Sequence, residues 1–204
     1  MVKSISGILT LLLLVGCASE QRTIKYYTID RYTIEPQDTV AVGAATPLPY
    51  IVEVVDFTVA GPYNDTRIAL RTDSHELEYY HYHQWAEPPA RAIRYYVWRV
   101  VHDANVFQVC QLRVAAGSPQ LLVTGSINKL ERVDDGEDAG AFVDGVLDLV
   151  NVRENRIVLS HRFNTFVPFP ANTPMNVFAN EVGSILFEET YAFIEKINDH
   201  YNAD

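Results

Sequence analysis

The chain has 204 residues and carries 16 Lys or Arg against 26 Asp or Glu, so its formal net charge at pH 7 is −10. This length is sufficient for one domain with a buried core and a tether. The acidic balance argues against nucleic acid as a partner, and it provides no electrostatic attraction to anionic lipid.

The N-terminus has the layout of a secretory signal. Lys3 gives a short basic start, residues 5–15 form an apolar run, and the small residue Gly16 precedes Cys17. This ending resembles the bacterial lipobox, in which a cysteine thiol receives a diacylglycerol and signal peptidase then cuts in front of that cysteine. We therefore predict a lipoprotein signal peptide over residues 1–16 and lipidation of Cys17.

The apolar run predicts an anchor and not a membrane span. Crossing a hydrocarbon core of about 30 Å takes about 20 apolar residues, and this run is shorter. An ordinary cleaved signal or an N-terminal helix is the alternative interpretation. Loss of Lys3, the one charged residue among positions 1–16, would take the net charge of the mature chain from −10 to −11.

The residue after the predicted lipidation site bears on location. In enterobacteria-like cells, an Asp directly after the lipidated cysteine tends to keep a lipoprotein in the inner membrane, and this chain has Ala18 there. We therefore predict that the protein is lipid-anchored at the periplasmic face of the outer membrane of a Gram-negative bacterium.

The residues after the anchor read as a tether that precedes a single domain. Residues 23–30 alternate and predict a strand, and the stretch that follows holds Pro36 and several small residues, which is typical of a linker. We predict a lipid-anchored tether with an N-terminal strand over residues 17–49 and a compact domain over residues 50–204. A spacer of about 30 residues would reach several tens of Å and hold the domain off the membrane.

Within the domain, β-forming runs bounded by turn residues predict seven further strands. They cover residues 51–59, 67–72, 76–83, 106–113, 121–133, 142–152 and 157–165. Pro88-Pro89 and Asn172-Thr173-Pro174 each start a run of apolar residues at helical spacing, so each predicts a helix. This order predicts an α+β fold, with two helices packed on one face of a mainly antiparallel sheet.

Signatures of enzymatic chemistry are missing from the sequence. It has no glycine-rich phosphate loop, no Gly-x-Ser-x-Gly elbow, no His-Glu-x-x-His helix and no paired CxxC. We therefore predict no catalytic residues and no cofactor. His81 and His83 alternate onto one strand face, but a metal site needs three or four converging ligands. An amphipathic strand is the better interpretation, and a metal-dependent periplasmic enzyme is the less favoured alternative.

Two surfaces are candidates for binding a partner. Arg91, Arg94, Tyr95, Trp98 and His102 follow helical spacing beside the apolar stripe of the first helix, and they are residue types that dominate interface hot spots. The apolar segment 163–170 is the second candidate. In both cases the alternative is that the chain's own core and loops cover these side chains. Cys110 would have no intrachain partner once Cys17 is acylated, and we predict that it is a small buried hydrophobe.

Several short motifs carry a family resemblance: Tyr26-Tyr27, Arg67-Ile68 with Arg71, Glu78-Tyr79-Tyr80, and Trp85-Ala86-Glu87-Pro88-Pro89. Together with the lipobox, they resemble the ABC-type transport auxiliary lipoproteins, the group that includes the lipoprotein of the paraquat-inducible operon. The Trp-x-x-Pro-Pro helix start is the most recognisable of these motifs. His81 and His83 match no part of the family pattern.

The resemblance implies a non-enzymatic periplasmic component of an envelope lipid transport system. Such systems pair an inner-membrane permease and ATPase with mammalian-cell-entry-domain proteins that bridge the periplasm. The auxiliary lipoprotein would dock the far end of that bridge, and a ring-shaped homo-oligomer would suit this role. A regulator of another envelope machine, such as a peptidoglycan synthase, is the alternative within the class of binding proteins.

Overall fold

The computed structural model describes residues 23–30, 46–115, 117–134, 136 and 139–202. The predicted signal peptide and Cys17 lie outside these residues. The strands are β1 Lys25–Tyr27, β2 Leu48–Val54, β3 Thr58–Val59, β4 Arg67–Asp73, β5 Glu76–Trp85, β6 Phe107–Gln111, β7 Leu121–Asp134, β8 Ala139–Asn151 and β9 Arg156–Pro168. The helices are α1 Pro89–Asp103 and α2 Met175–Asn202, and a short 3-10 turn covers Gly61–Tyr63.

The long strand β7 organises the sheet. One of its edges pairs in succession with β2, β3 and β4, which all run parallel to it. Its other edge pairs with β8 in antiparallel orientation along its whole length, and β9 continues the sheet beyond β8. Outside β4 lie β5 and then β1, and outside β2 lies β6.

The prediction of a mainly antiparallel sheet is wrong, because the sheet is mixed. Among the described strands, β1/β5, β2/β6, β2/β7, β3/β7 and β4/β7 pair in parallel, whereas β4/β5, β7/β8 and β8/β9 pair in antiparallel orientation. Side-chain alternation has the same period in both orientations, so it does not report strand direction. Three of the early strands pair with β7, which follows them only after the α1 crossover.

The two predicted helices are present and begin where the prolines indicated. Pro88 is the N-cap residue of α1, and α2 starts directly after Pro174. The two helices contact each other, and the Tyr96 hydroxyl of α1 donates to the Gly183 carbonyl of α2 at 2.9 Å. Trp85, at the end of β5, is buried with its ring centroid 5.9 Å from that of Phe178 on α2.

The predicted strand over residues 51–59 is interrupted between β2 and β3. At this break Phe57 enters the core with 4 % of its surface exposed. Its ring lies against Gly125 of β7, where an added Cβ would come within 2.8 Å of Phe57 Cε1 and 2.1 Å of the Val146 carbonyl oxygen. Gly125 therefore leaves the space that the Phe57 ring occupies at the break between β2 and β3.

A buried carboxylate fixes β4 to β7. Glu131 is 1 % exposed, and Arg71 on β4 donates from Nε to Oε1 at 2.7 Å and from Nη2 to Oε2 at 2.8 Å. The Tyr63 hydroxyl donates to the same Oε2 at 2.8 Å. Burial raises the pKa of Tyr63 to about 12, and the hydrogen bond and charge of Glu131 act in the same direction. The charge of Glu131 is thus compensated by a two-point ion pair and a phenol.

A second polar cluster joins α2 to β9. The Lys196 ammonium lies 2.8 Å from His161 Nδ1, and His161 Nε2 lies 2.7 Å from the Glu189 carboxylate. Since an ammonium can only donate, Nδ1 must accept and the imidazole proton must be on Nε2, facing Glu189. Thr165 completes the cluster by donating to the other Glu189 oxygen at 2.6 Å.

Candidate functional site

The exposed side of α1 carries a row of aromatic rings. Tyr95, Trp98 and His102 are spaced three and four residues apart, which places them side by side on a helix. The ring centroids of Tyr95 and Trp98 are 5.3 Å apart, and those of Trp98 and His102 are also 5.3 Å apart with nearly parallel planes. Tyr95 is 51 % exposed. We call these three residues the aromatic row.

The five candidate residues on α1 differ in whether their side chains bond to other parts of the fold. Arg91 is largely exposed and makes only a 3.4 Å surface ion pair with Glu87. By contrast, the Trp98 indole donates to the Cys110 carbonyl at 3.3 Å. Arg91, Tyr95 and His102 are therefore available to a partner, and Trp98 is partly committed to the fold.

Arg94 is the most strongly engaged of the five. Its guanidinium donates to the Val54 carbonyl at 2.9 Å, to the Asp56 carboxylate at 2.8 Å and to the Leu112 carbonyl at 2.5 Å. Val54 is the last residue of β2, and Asp56 and Leu112 follow β2 and β6, the strands that α1 covers. Arg94 therefore connects α1 to the ends of two parallel strands, and this contribution to the fold was not evident from its position on the helix face.

The N-terminal segment containing β1 is bound to the domain next to the aromatic row. The Tyr27 hydroxyl and His83 Nδ1 lie 2.8 Å apart, and the Tyr27 carbonyl accepts the Ala86 amide at 2.7 Å. Asp30 pairs with the Arg99 guanidinium of α1 at 2.5 Å, while Ile29 is buried in the core. Sequence reasoning missed Arg99, because its partner lies 69 residues earlier in the chain.

Two grooves flank this segment. One has a volume of about 180 Å³ and lies between residues 27–30 and α1, where Tyr95 and Arg99 line its wall. The other, of about 480 Å³, lies between the same segment and the first turns of α2, including Asn176 and Asn180. Because Tyr95 belongs to both the aromatic row and the first groove, the row and that groove form one continuous surface.

His81 and His83 have different environments. Opposite β4, the β5 register shifts between the pairs Arg67↔Gln84 and Ala69↔Tyr79, so the alternation of β5 is broken between them. His81 is exposed, whereas burial lowers the pKa of His83, with the charges of Lys25 and Arg132 acting in the same direction. In the part of the chain that the structure describes, no group of three or more His, Cys, Asp or Glu side chains is arranged to hold a metal ion.

The apolar segment 163–170 mostly covers the core. Phe163 is buried, and Phe169 packs against the core and lies under the Arg132 guanidinium, 5.2 Å from it. The same guanidinium donates to the Ala171 and Thr173 carbonyls at 2.7 and 2.9 Å. Phe166 is the exposed exception, at 41 %. The segment is therefore held in place by a buried arginine that sequence reasoning had not singled out.

The prediction for Cys110 is confirmed. Its side chain is free and buried on β6, and burial raises the pKa of its thiol from 9.0 to about 12. A thiol held in its neutral form is a poor nucleophile at neutral pH. Cys110 thus acts as a small apolar residue between the sheet and α1.

Sequence reasoning also missed an exposed face formed by β1 and β5. The two strands pair in parallel with Tyr26 opposite Gln84. Tyr26 is 64 % exposed, Tyr82 42 % and Ile24 40 %. The available signal was the alternation of apolar residues over residues 24–29, which had been assigned to a tether.

Comparison with known proteins identifies the family. The family model of the ABC-type transport auxiliary lipoprotein component matches residues 32–180. No curated protein matches the sequence. None of the helices in the described ranges has the length and apolar character needed to span a membrane.

Solved structures share the fold. A protein from Xanthomonas campestris superposes with a TM-score of 0.66 at 20 % identity, covering 84 % of this chain and 92 % of the other. An uncharacterized protein superposes with a TM-score of 0.65 at 14 % identity, covering 86 % and 99 %. The family model spans most of the sequence, and the chain therefore belongs to the ABC-type transport auxiliary lipoprotein component family.

Proposed function

We propose that this protein is the lipid-anchored auxiliary component of an ABC-type envelope transport system for lipids, acting at the periplasmic face of the outer membrane. Acyl chains on Cys17 would hold it there. It would dock a mammalian-cell-entry-domain protein that reaches toward the inner-membrane permease and ATPase. The observation that carries this proposal is the family match over residues 32–180.

A binding role agrees with the character of the exposed surface. The family is an auxiliary component of transport systems, which supports a role in assembly and not in catalysis. The larger groove beside β1 is lined by phenol, amide and carboxylate groups from Tyr26, Asp30, Asn176 and Asn180. The side chains on α1, Arg91 and the aromatic row, are of the kinds that concentrate binding energy in protein interfaces.

We assign the docking surface to Arg91, Tyr95 and His102, with Trp98 supporting the two rings. Exposed Tyr95 and His102 lie on either side of the Trp98 ring, so a partner that covers the row would contact a preformed stack. An interface hot spot contributes about 2 kcal/mol or more, which corresponds to about 30-fold in affinity.

The test is cross-linking in intact cells followed by capture of the lipoprotein and identification of its partners. We expect the wild-type protein to capture a mammalian-cell-entry-domain protein, and Tyr95→Ala with His102→Ala to reduce that capture strongly. Ile157→Ala on β9 is the matched control, because Ile157 is 54 % exposed on a different surface. Arg94 and Trp98 are unsuitable test positions, since they also hold the fold together.

Two outcomes would contradict the proposal in different ways. Capture of a peptidoglycan synthase instead of transport proteins would favour the alternative envelope function. Unchanged capture by the double variant, with transport partners present, would remove α1 as the docking surface and leave the transport role in place. Labelling of the exported protein with a fatty acid, and loss of the label in Cys17→Ser, tests the anchor.

A further inference from the structure

We infer that the outer face of β1 and β5, formed by Ile24, Tyr26 and Tyr82, rests on the lipid leaflet that holds the acyl chains of Cys17. This inference depends on the lipid anchor of the proposed function. It concerns a face distinct from the aromatic row of α1, and it assigns a membrane-facing surface to the domain itself.

The strand register brings these three side chains together. Lys25 pairs with His83 in parallel orientation, so Ile24 and Tyr82, which directly precede these two residues, lie near each other. Ile24, Tyr26 and Tyr82 are all exposed, so together they form an exposed patch at the β1 edge of the sheet. On the opposite side, Tyr27 and Trp85 pack toward the core. Ile24, Tyr26 and Tyr82 are thus exposed, whereas the side of β1 and β5 that carries Tyr27 and Trp85 is buried.

The chain between Cys17 and this face is short because β1 belongs to the sheet. The Tyr27–His83 hydrogen bond, the Tyr27–Ala86 backbone bond and the Asp30–Arg99 ion pair hold residues 25–30 against the domain. A fully extended chain gains at most about 3.6 Å per residue, so the seven residue steps from Cys17 to Ile24 span at most about 25 Å. The long spacer expected from the sequence therefore does not separate this face from the membrane.

The chemistry of the face suits a bilayer surface. Tyrosine places an apolar ring beside acyl chains and its hydroxyl among headgroups, which is why it is enriched at membrane interfaces. An acidic protein gains no attraction to anionic lipid from its net charge. Contact with the leaflet must therefore come from apolar and aromatic groups, and these are what the face presents beside the anchor.

A second copy of the chain fits this face less well. A fully exposed aromatic side chain offers about 150–250 Å², whereas a standard interface buries about 800 Å² on each partner. Three side chains exposed by 64, 42 and 40 % fall well short of that area. A small patch suffices at the membrane because the acyl chains already provide the attachment.

The experiment uses the mature lipidated protein in vesicles of phosphatidylethanolamine and phosphatidylglycerol, with and without bromine on the acyl chains. Tyr26→Trp and Tyr82→Trp introduce fluorescent reporters at the face. Ile157→Trp is the matched control, since Ile157 is exposed on β9, which ends the sheet on the side of β7 opposite β1. The unsubstituted protein, with Trp85 and Trp98, gives the baseline emission.

We expect a blue shift and a loss of emission in brominated vesicles for Tyr26→Trp and Tyr82→Trp, and no change beyond the baseline for Ile157→Trp. Protein that floats with the vesicles but shows no quenching at residues 26 and 82 overturns the inference while leaving the anchor intact. Equal quenching at all three positions also overturns it, because the domain would then have no preferred face. Protein that does not float at all lacks the anchor, and both the inference and the anchored function fail.

Discussion

Arg71 and Glu131 face each other across the parallel pair β4 and β7, and two hydrogen bonds of 2.7 and 2.8 Å join the guanidinium to the carboxylate. Removing one partner of such a pair leaves an uncompensated buried charge. We expect Arg71→Ala, which leaves the Glu131 carboxylate buried without its guanidinium, to lower the free energy of unfolding by about 3–5 kcal/mol, measured as the shift of the urea unfolding midpoint.

The control for this prediction is the exposed ion pair of Arg67 with Asp65. Solvent screens exposed ion pairs, so Arg67→Gln should shift the midpoint only slightly. Equal shifts for the two variants would contradict the view that burial sets the difference between them.

The two arginines on the face of α1 should differ in their effect on stability. Arg94→Ala removes the donor for two backbone carbonyls, and we expect a loss of about 1–3 kcal/mol in the free energy of unfolding. Arg91→Ala removes only an exposed ion pair and should cost less than about 0.5 kcal/mol. Thermal unfolding of both variants checks this, and a stable Arg94→Ala protein would show that the three contacts of Arg94 are dispensable.

Gly125 should tolerate no side chain. An added Cβ would lie 2.1 Å from the Val146 carbonyl oxygen and 2.8 Å from Phe57 Cε1, so Gly125→Ala must displace both β8 and Phe57. Overpacking of this kind costs about 1–3 kcal/mol or more. Gly61→Ala is the control, because a Cβ at Gly61 has no heavy atom within 4 Å. Chemical denaturation of the two variants should separate them clearly.

Stability should fall as the pH rises above about 9. Burial raises the pKa of Cys110 from 9.0 to about 12, and that of Tyr63 from 10.0 to about 12. The unfolded chain loses these two protons at lower pH than the folded protein does. The stabilisation that results from these two raised pKa values is therefore complete below about pH 9 and is lost as the pH approaches about 12. Cys110→Ala should flatten this pH dependence in urea titrations at several alkaline pH values, whereas an unchanged slope would show that the thiol does not contribute.

The Asp30–Arg99 ion pair should control the attachment of the N-terminal segment. We expect Arg99→Ala to speed hydrogen exchange at the Ala86 amide, which donates to the Tyr27 carbonyl, because the segment opens more often. The amides in the centre of β7 should keep their protection. Faster exchange throughout the protein would indicate a general loss of stability in place of local opening.

The elements with strong local signals were predictable from sequence. Pro88-Pro89 and Pro174 mark helix starts because proline suits a first turn and cannot occupy a helix interior. The apolar residues at helical spacing after Pro174 likewise form a buried stripe on α2: Met175, Phe178, Val182, Ile185, Leu186, Phe193 and Ile197. In these cases, the information that determines the structure lies within a few residues of the element itself.

Strand partners and side-chain partners were not predictable in the same way. Arg94 has the spacing of a surface residue, yet its acceptors Val54 and Asp56 lie about 40 positions away in the chain. Similarly, Glu131 reads as a polar position on a long strand until Arg71 is known to lie beside it. Such contacts depend on which strands become neighbours, and residue periodicity carries no information about that choice.

The arrangement of β7 also determines the order in which the protein can assemble. Because β2, β3 and β4 all pair along one edge of β7, each of them lacks that neighbour until residues 121–134 have emerged during synthesis. The β4–β5 hairpin and the pairings of β1 with β5 and of β2 with β6 can form before β7, whereas the strand edges that face β7 stay open. A nascent or translocating chain of this protein would therefore expose the edges of β2, β3 and β4 until β7 is available, and ribosome-stalled chains that end before β7 should remain sensitive to protease.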